Sequence, residues 1–306
     1  MLEFDDVAKR YGETVALESL SFAVRPGEMF GFVGANGAGK TTAMRIALGV
    51  LAADRGEVRW VGRPVDFAAR QRFGYMPEER GLYPKMRVAE QLAYFAQLHG
   101  LSPAAAATAA RDWTERLGVA ERRDDPVEKL SLGNQQRVQL AAALVYDPEV
   151  LILDEPFSGL DPVGVDALAE VLKAKCADGV PVIFSSHQLE LVERLCDAVG
   201  IINSGRLVAA GTVEELRNRG GERQLRVVAP DAQPGWTDGI PGVQGVSGQS
   251  PEFLLALAEA ADDQQVLAAA VRTGRVVHFS RVTPTLADLF RAAVSPEAAA
   301  GERQLA

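Results

Sequence analysis

Within Gly34-Ala35-Asn36-Gly37-Ala38-Gly39-Lys40-Thr41-Thr42, glycines are spaced around one amine that two hydroxyls follow, the pattern of a loop that cradles phosphate. Glycine lets the backbone curl until successive N–H groups point at one anion, so Gly34, Asn36, Gly37, Ala38, Gly39 and Thr42 are expected to line a nucleotide's phosphates. Lys40 is placed to reach the β and γ phosphates, and the Thr41 hydroxyl to coordinate a metal. A second group with chemistry is the pair Asp154-Glu155, which ends the apolar run Val150-Leu151-Ile152-Leu153. Two adjacent acids there have two jobs: Asp154 to hold a magnesium ion, directly or through water, and Glu155 to polarise an attacking water.

Such groups work only if regular elements hold them. Met29-Phe30-Gly31-Phe32-Val33 is a short apolar run suited to a buried strand, and Ala43 to Leu51 reads as a helix whose N-terminus adds positive potential to the loop. The run before Asp154 is a strand of the same kind, and ligands gather at the C-terminal ends of strands in open α/β sheets. From 150 to 215 the order strand, helix, strand, helix, strand predicts a mostly parallel core sheet. Ahead of the loop, alternation in Leu2–Val7 and Ser19–Val24 predicts an antiparallel sheet, and Gly56–Gly62 an edge strand. Residues 88–98 and 104–117 read as helices, with Ser102-Pro103 as cap and first turn.

Between the loop and the paired acids stands Leu130-Ser131-Leu132-Gly133-Asn134, which resembles a slightly altered signature motif of the ATP-binding-cassette (ABC) family; Val150–Glu155 resembles that family's Walker B strand. The resemblance covers roughly residues 1–216. It implies a P-loop NTPase cassette, ATP and Mg2+ as ligands, and ATP hydrolysis, with the nucleotide sandwiched in a homodimer. Ser131 and Gly133, at the start of a helix beginning near Gln135, would meet the γ-phosphate held by the partner copy. Leu132 and Asn134 replace the Gly and Gln of the family's commonest LSGGQ. Ser158-Gly159-Leu160-Asp161 matches the family's D-loop, with Asp161 aligning the two sites. His187, after Ser185-Ser186, matches the switch histidine at the γ-phosphate, and Tyr11 lies where an aromatic stacks on adenine.

The segment Tyr75-Met76-Pro77-Glu78-Glu79-Arg80 departs from the family pattern, because Glu78 stands where a Gln normally meets the metal and relays the state of the membrane partner. A carboxylate can still ligate magnesium, but it brings negative charge toward the γ-phosphate. This run, with the tail TPTLADLF from Thr283, resembles a subgroup of sodium and drug efflux ATPases that carry a C-terminal extension. The resemblance therefore implies the motor subunit of an exporter, docked on a separate multi-span permease at the inner face of the cell membrane.

At 306 residues with a net charge of −9, the chain has room for one large α/β domain and a small one. The acidic balance argues against a nucleic-acid surface. No run approaches the ~20 apolar residues of a membrane span, and the N-terminus lacks a signal-peptide layout, so a cytoplasmic chain is expected. Cys176 and Cys196 have no ligand spacing and read as packed thiols in a reducing compartment; His99 and His278 read as structural. The expected domains are an ATP-binding domain over 1–218, with a helical subdomain at about 86–135, and a C-terminal α+β domain over 222–306 with a frayed end from Ser295. They meet at the polar joint 218–221. The competing function class, a soluble ABC ATPase acting on ribosomes or DNA, is disfavoured by the acidic charge and by the lack of a second cassette or a long coiled coil.

Overall fold

Alternating apolar residues carry the chain through β1 (Leu2–Tyr11) and β2 (Thr14–Val24), which pair antiparallel. Shifts in register after Phe4 and after Val7 break the strict alternation, so that Leu2, Phe4 and Val7 of one strand are buried with Leu17, Leu20 and Val24 of the other. Phe22 then stacks on Phe30 of β3 (Met29–Val33) at 5.0 Å, which seats this small sheet on the core. The computed structural model describes residues 1–79, 81–218, 223–258, 260–282 and 285–294. Its backbone contacts divide the chain into Met1–Val213 and Glu214–Ala306.

After β3 come α1 (Lys40–Ala47), β4 (Arg55–Trp60), β5 (Arg63–Pro64), α2 (Phe67–Arg70) and β6 (Phe73–Met76). Helix α1 starts at Lys40, ahead of the expected Ala43, so the loop's amine sits on its first turn. Strand β4 is not an edge: the first sheet runs β2-β1-β4-β5, because the turn at Val61-Gly62 folds β5 back onto it. Helices α3 (Val88–Leu98) and α4 (Pro103–Arg116) follow, the latter capped as expected by Ser102, whose Oγ accepts the Ala105 N–H at 3.3 Å. Helix α5 (Leu132–Leu144) begins at Leu132 rather than near Gln135, since Ser131 is its N-cap.

The chain continues through β7 (Val150–Leu153), α6 (Pro162–Ala177), β8 (Val182–Ser186), α7 (Leu189–Leu195), β9 (Ala198–Asn203), β10 (Arg206–Thr212) and α8 (Val213–Asn218). The core sheet runs β10-β9-β3-β8-β7-β6 and is parallel except for β10, an edge strand the sequence reading omits. Each residue of β3 and β7 is buried, which explains their unbroken apolar runs. Burial pushes the Cys176 thiol up to about 12 and the Cys196 thiol well above its usual range, so both stay protonated and packed. His99 lies flat against Tyr146, ring centroids 3.5 Å apart.

The second unit contains β11 (Arg223–Val228), β12 (Val243–Gln249), β13 (Glu252–Leu257), α9 (Asp263–Thr273), β14 (His278–Val282) and α10 (Leu286–Val294). Its antiparallel sheet has the order β12-β13-β11-β14, and Leu225, Val227, Phe253, Leu255 and Val266 form its core. The fold is thus the expected α/β cassette followed by a small α+β unit. Thr283 and Pro284 of the TPTLADLF motif and the tail from Ser295 lie outside the described residues.

Candidate functional site

Strands β3, β8 and β7 are parallel neighbours in the sheet, so the phosphate loop, Ser185–His187 and Asp154-Glu155 all gather at the C-terminal ends of these strands. Two of the loop glycines have specific steric reasons. A Cβ on Gly34 would lie 2.4 Å from the Ile202 carbonyl oxygen, and Gly39, at φ 111°, would bring one within 2.6 Å of the Ala16 carbonyl oxygen. The chain can therefore close around its own backbone just as α1 begins. Lys40 is buried, and its Nζ donates to the carbonyl oxygens of Gly34 at 2.7 Å and Ala35 at 3.2 Å, across the span of the loop. Burial lowers its pKa, while the carboxylates of Glu155, Asp154 and Glu78 act in the opposite direction.

Asp154 and Glu155 are both buried, and a short relay holds them. The Thr41 hydroxyl donates to Asp154 Oδ2 at 2.8 Å, which ties the first turn of α1 to the end of β7. Ser185 Oγ donates to Asp154 Oδ1 at 2.5 Å and accepts the Glu155 N–H at 2.8 Å. Glu155 itself has φ 50°, a left-handed backbone that a non-glycine residue adopts only when its surroundings impose it. Part of that constraint comes from α5, where Gln136 Nε2 donates to the carbonyl oxygens of Glu155 at 3.2 Å and Pro156 at 2.9 Å. The Glu155 side chain meets His187, with Nδ1 3.0 Å from Oε1. Burial raises the Glu155 pKa, and the His187 hydrogen bond draws it back down.

These groups open on a cleft of about 350 Å³, lined by Gly37, Lys40, Thr41, Glu78, Asp154 and Glu155 together with Asn36, Gly39, Thr42 and Ala16. Three carboxylates thus face one ammonium and a helix N-terminus, an arrangement suited to a polyphosphate accompanied by a cation.

Other sequence-predicted residues stand apart from this lining. Ser131 Oγ accepts the Asn134 N–H at 3.4 Å as the cap of α5, and Leu132 beside it is 58% exposed. Asp161 caps α6, its Oδ1 accepting the Gly164 N–H at 2.7 Å. Tyr11, at the end of β1, is half exposed, with the Lys9 ammonium 6.0 Å from its ring centre. Gln136 and Ser185 take positions that the sequence reading leaves unassigned. Ser185 had a signal in its place just before His187; a glutamine inside a helix had none.

The sequence matches the ABC transporter family over residues 17–158 and the C-terminal domain of DrrA1-3-like ATP-binding proteins over residues 211–294. It is 43% identical over 231 residues to the uncharacterised ABC transporter ATP-binding protein YhaQ of Bacillus subtilis, covering 76% of this chain and 78% of that one. It is 40% identical over 218 residues to the Nod factor export ATP-binding protein I of Paraburkholderia xenovorans, covering 70% and 72% of the two chains. A solved ATP-binding subunit of an ABC transporter superposes with a TM-score of 0.67 at 32% identity, over 72% of this chain and 93% of that structure. Likeness of that extent reaches far past the loop and the paired acids: the chain belongs to the ATP-binding proteins of ABC transporters, which bind ATP and hydrolyse it to power transport.

Proposed function

We propose that this chain is the motor subunit of an exporter, working as a homodimer docked on a separate multi-span permease at the inner face of the cell membrane. The observation that carries this reading is the joining of Lys40, the Thr41–Asp154 pair and the Glu155–His187 pair around one cleft. Residues 1–218 serve as the ATP-binding domain, with a helical subdomain at about 86–135, and 222–306 as an accessory domain. The backbone N–H groups of residues 34–42 and Lys40 hold the phosphates, and Tyr11 takes the adenine. Glu155, its carboxylate aimed by His187, accepts the proton of the water that attacks the γ-phosphorus, and His187 contacts the γ-phosphate.

The donor set fits Mg2+. The Thr41 hydroxyl and the Asp154 carboxylate share a hydrogen bond at the cleft, and Glu78 adds a third oxygen donor to its wall. Such a set suits a cation that takes one or two protein carboxylates and completes its shell with phosphate oxygens and water. When bound, that ion supplies charge neutralisation of the phosphates; Thr41, Asp154 and Glu78 would hold it.

Dimerisation is supported by the signature end of α5. Gly133 has no steric need to be glycine within its own chain, since a Cβ there would meet only Leu160 at an ordinary 3.5 Å. Its bareness suits the close approach of a phosphate held by a second copy, which Asp161 would help to align. Permease docking is supported by a largely apolar groove of about 350 Å³ whose walls include Phe73, Tyr75, Pro77, Leu82, Phe95 and Tyr146, next to Glu78. No helix among the described residues is long and apolar enough to cross a membrane, so a partner would supply the pore. Export is supported by the name of the Nod factor relative.

The test uses Glu155→Gln, tagged and extracted from membranes in mild detergent with ATP and Mg2+. Expected are ATP binding close to wild type, turnover reduced about 100-fold or more, and a multi-span membrane protein copurifying in near-stoichiometric amount. Turnover within twofold of wild type sinks the assignment of Glu155, and recovery only with ribosomes or nucleic acid sinks the permease reading.

A further inference from the structure

Helix α5 carries a second buried glutamine, Gln139, one turn beyond Gln136. Its Nε2 donates to the carbonyl oxygens of Pro77 at 2.6 Å and Glu79 at 3.3 Å, so one amide grips the backbone on both sides of Glu78. Its Oε1 is buried with no hydrogen-bond partner among the described residues. An unpaired buried carbonyl is a cost that an apolar residue of the same size would avoid. The residue's benefit to the fold therefore lies in its two donated bonds. Those bonds hold a segment that leaves β6 without regular structure, and the exposed Glu78 side chain, which lines the cleft, makes no hydrogen bond or ion pair of its own among the described residues.

We infer that Gln139 is a positioning residue for Glu78, setting where this carboxylate stands in the cleft. With Gln136 on the backbone of Glu155 and Pro156, the same helix reaches both acids of the cleft that lie beyond Asp154. The inference rests on the reading of Glu78 as an oxygen donor to the cation that accompanies ATP.

The experiment is a double-mutant cycle of Gln139→Met and Glu78→Ala in the full chain. Methionine keeps the length and volume of the side chain and removes both donors. The readout is Mn2+ affinity in the presence of ATP, measured by electron paramagnetic resonance, with metal-free ATP binding as the control. Gln139→Met is expected to weaken Mn2+ binding about tenfold, the worth of one to two lost hydrogen bonds, with metal-free ATP affinity within about twofold of wild type. The double variant should then bind Mn2+ no more weakly than Glu78→Ala alone. Wild-type Mn2+ affinity in Gln139→Met, or losses that simply add in the double variant, overturns the inference. Wild-type affinity in Glu78→Ala instead removes the metal-side reading of Glu78; any loss in Gln139→Met would then have another route, and the inference falls with that reading. Should the methionine variant fail to fold, Gln139→Leu, which also removes both donors and leaves no buried polar atom, is expected to give the same pattern.

Discussion

In the phosphate cleft the buried acids and the lysine find their partners within the chain: Thr41 and Ser185 on Asp154, His187 on Glu155, and two loop carbonyls on Lys40. At the start of α5 the Ser131 hydroxyl accepts one long bond from its own helix, Leu132 is exposed, and Gly133 is bare where a Cβ would make only an ordinary contact with Leu160. Both regions belong to the same nucleotide chemistry by sequence, yet only the first is finished by local contacts. The difference teaches that one chain completes its phosphate receptor by itself and leaves a bare helix end, which in the proposed homodimer would find its use against a second copy.

That contrast can be broken most severely by disabling each half in turn. Lys40→Ala removes a charged donor worth about 3 kcal/mol and should weaken ATP binding roughly a hundredfold. Ser131→Arg fills the helix end and should leave ATP binding within about threefold of wild type while cutting turnover by about two orders of magnitude. Mixing the two inactive variants should restore hydrolysis, because a mixed dimer contains one site with both an intact loop and an intact helix end. No recovery in the mixture, with dimers present, would mean that the halves do not meet across two copies.

A smaller effect sharpens the account of the receptor half. Burial raises the Glu155 pKa and the His187 hydrogen bond opposes that rise. Proton acceptance needs the carboxylate form, so the acid limb of the kcat–pH profile should lie above the ordinary carboxylate range. Removing the opposing bond in His187→Ala should move that limb to still higher pH, and a limb moving to lower pH would contradict the arrangement. The smallest effect concerns Glu78. Its charge adds to two other carboxylates in the cleft, so Glu78→Gln should strengthen metal-free ATP binding by about fivefold, a Coulomb term on the order of 1 kcal/mol, and change binding less when Mg2+ is present. Calorimetric titrations with and without chelator would read this.

The sequence was most legible where burial forces a continuous apolar run. Strands β3 and β7 could be read from Met29–Val33 and Val150–Leu153 because both faces of the core sheet are covered, and the chemistry begins at the first residues that break those runs. Strand β10 is hard to read because RLVAAGT is a partly exposed edge strand, and β12 because VQGVSGQ is mostly exposed and glycine-bearing. The start of α5 was misplaced because Leu-Gly-Asn is a weak helical opening, while the Ser131 cap outweighs that weakness. Gln136 and Gln139 were illegible for another reason. Their partners are backbone carbonyls on distant segments, and a polar residue on a helix carries no mark of which backbone it will meet.

On the role of base proposed for Glu155, its left-handed backbone sets stability and turnover against each other at one position. Glycine would adopt φ 50° without the roughly 1 kcal/mol that a Cβ costs there, and it would also relieve the chain of a buried carboxylate. Mutational drift judged on folding alone would therefore erode this acid. On that role, a search for more stable variants of this protein would tend to return inert ones first.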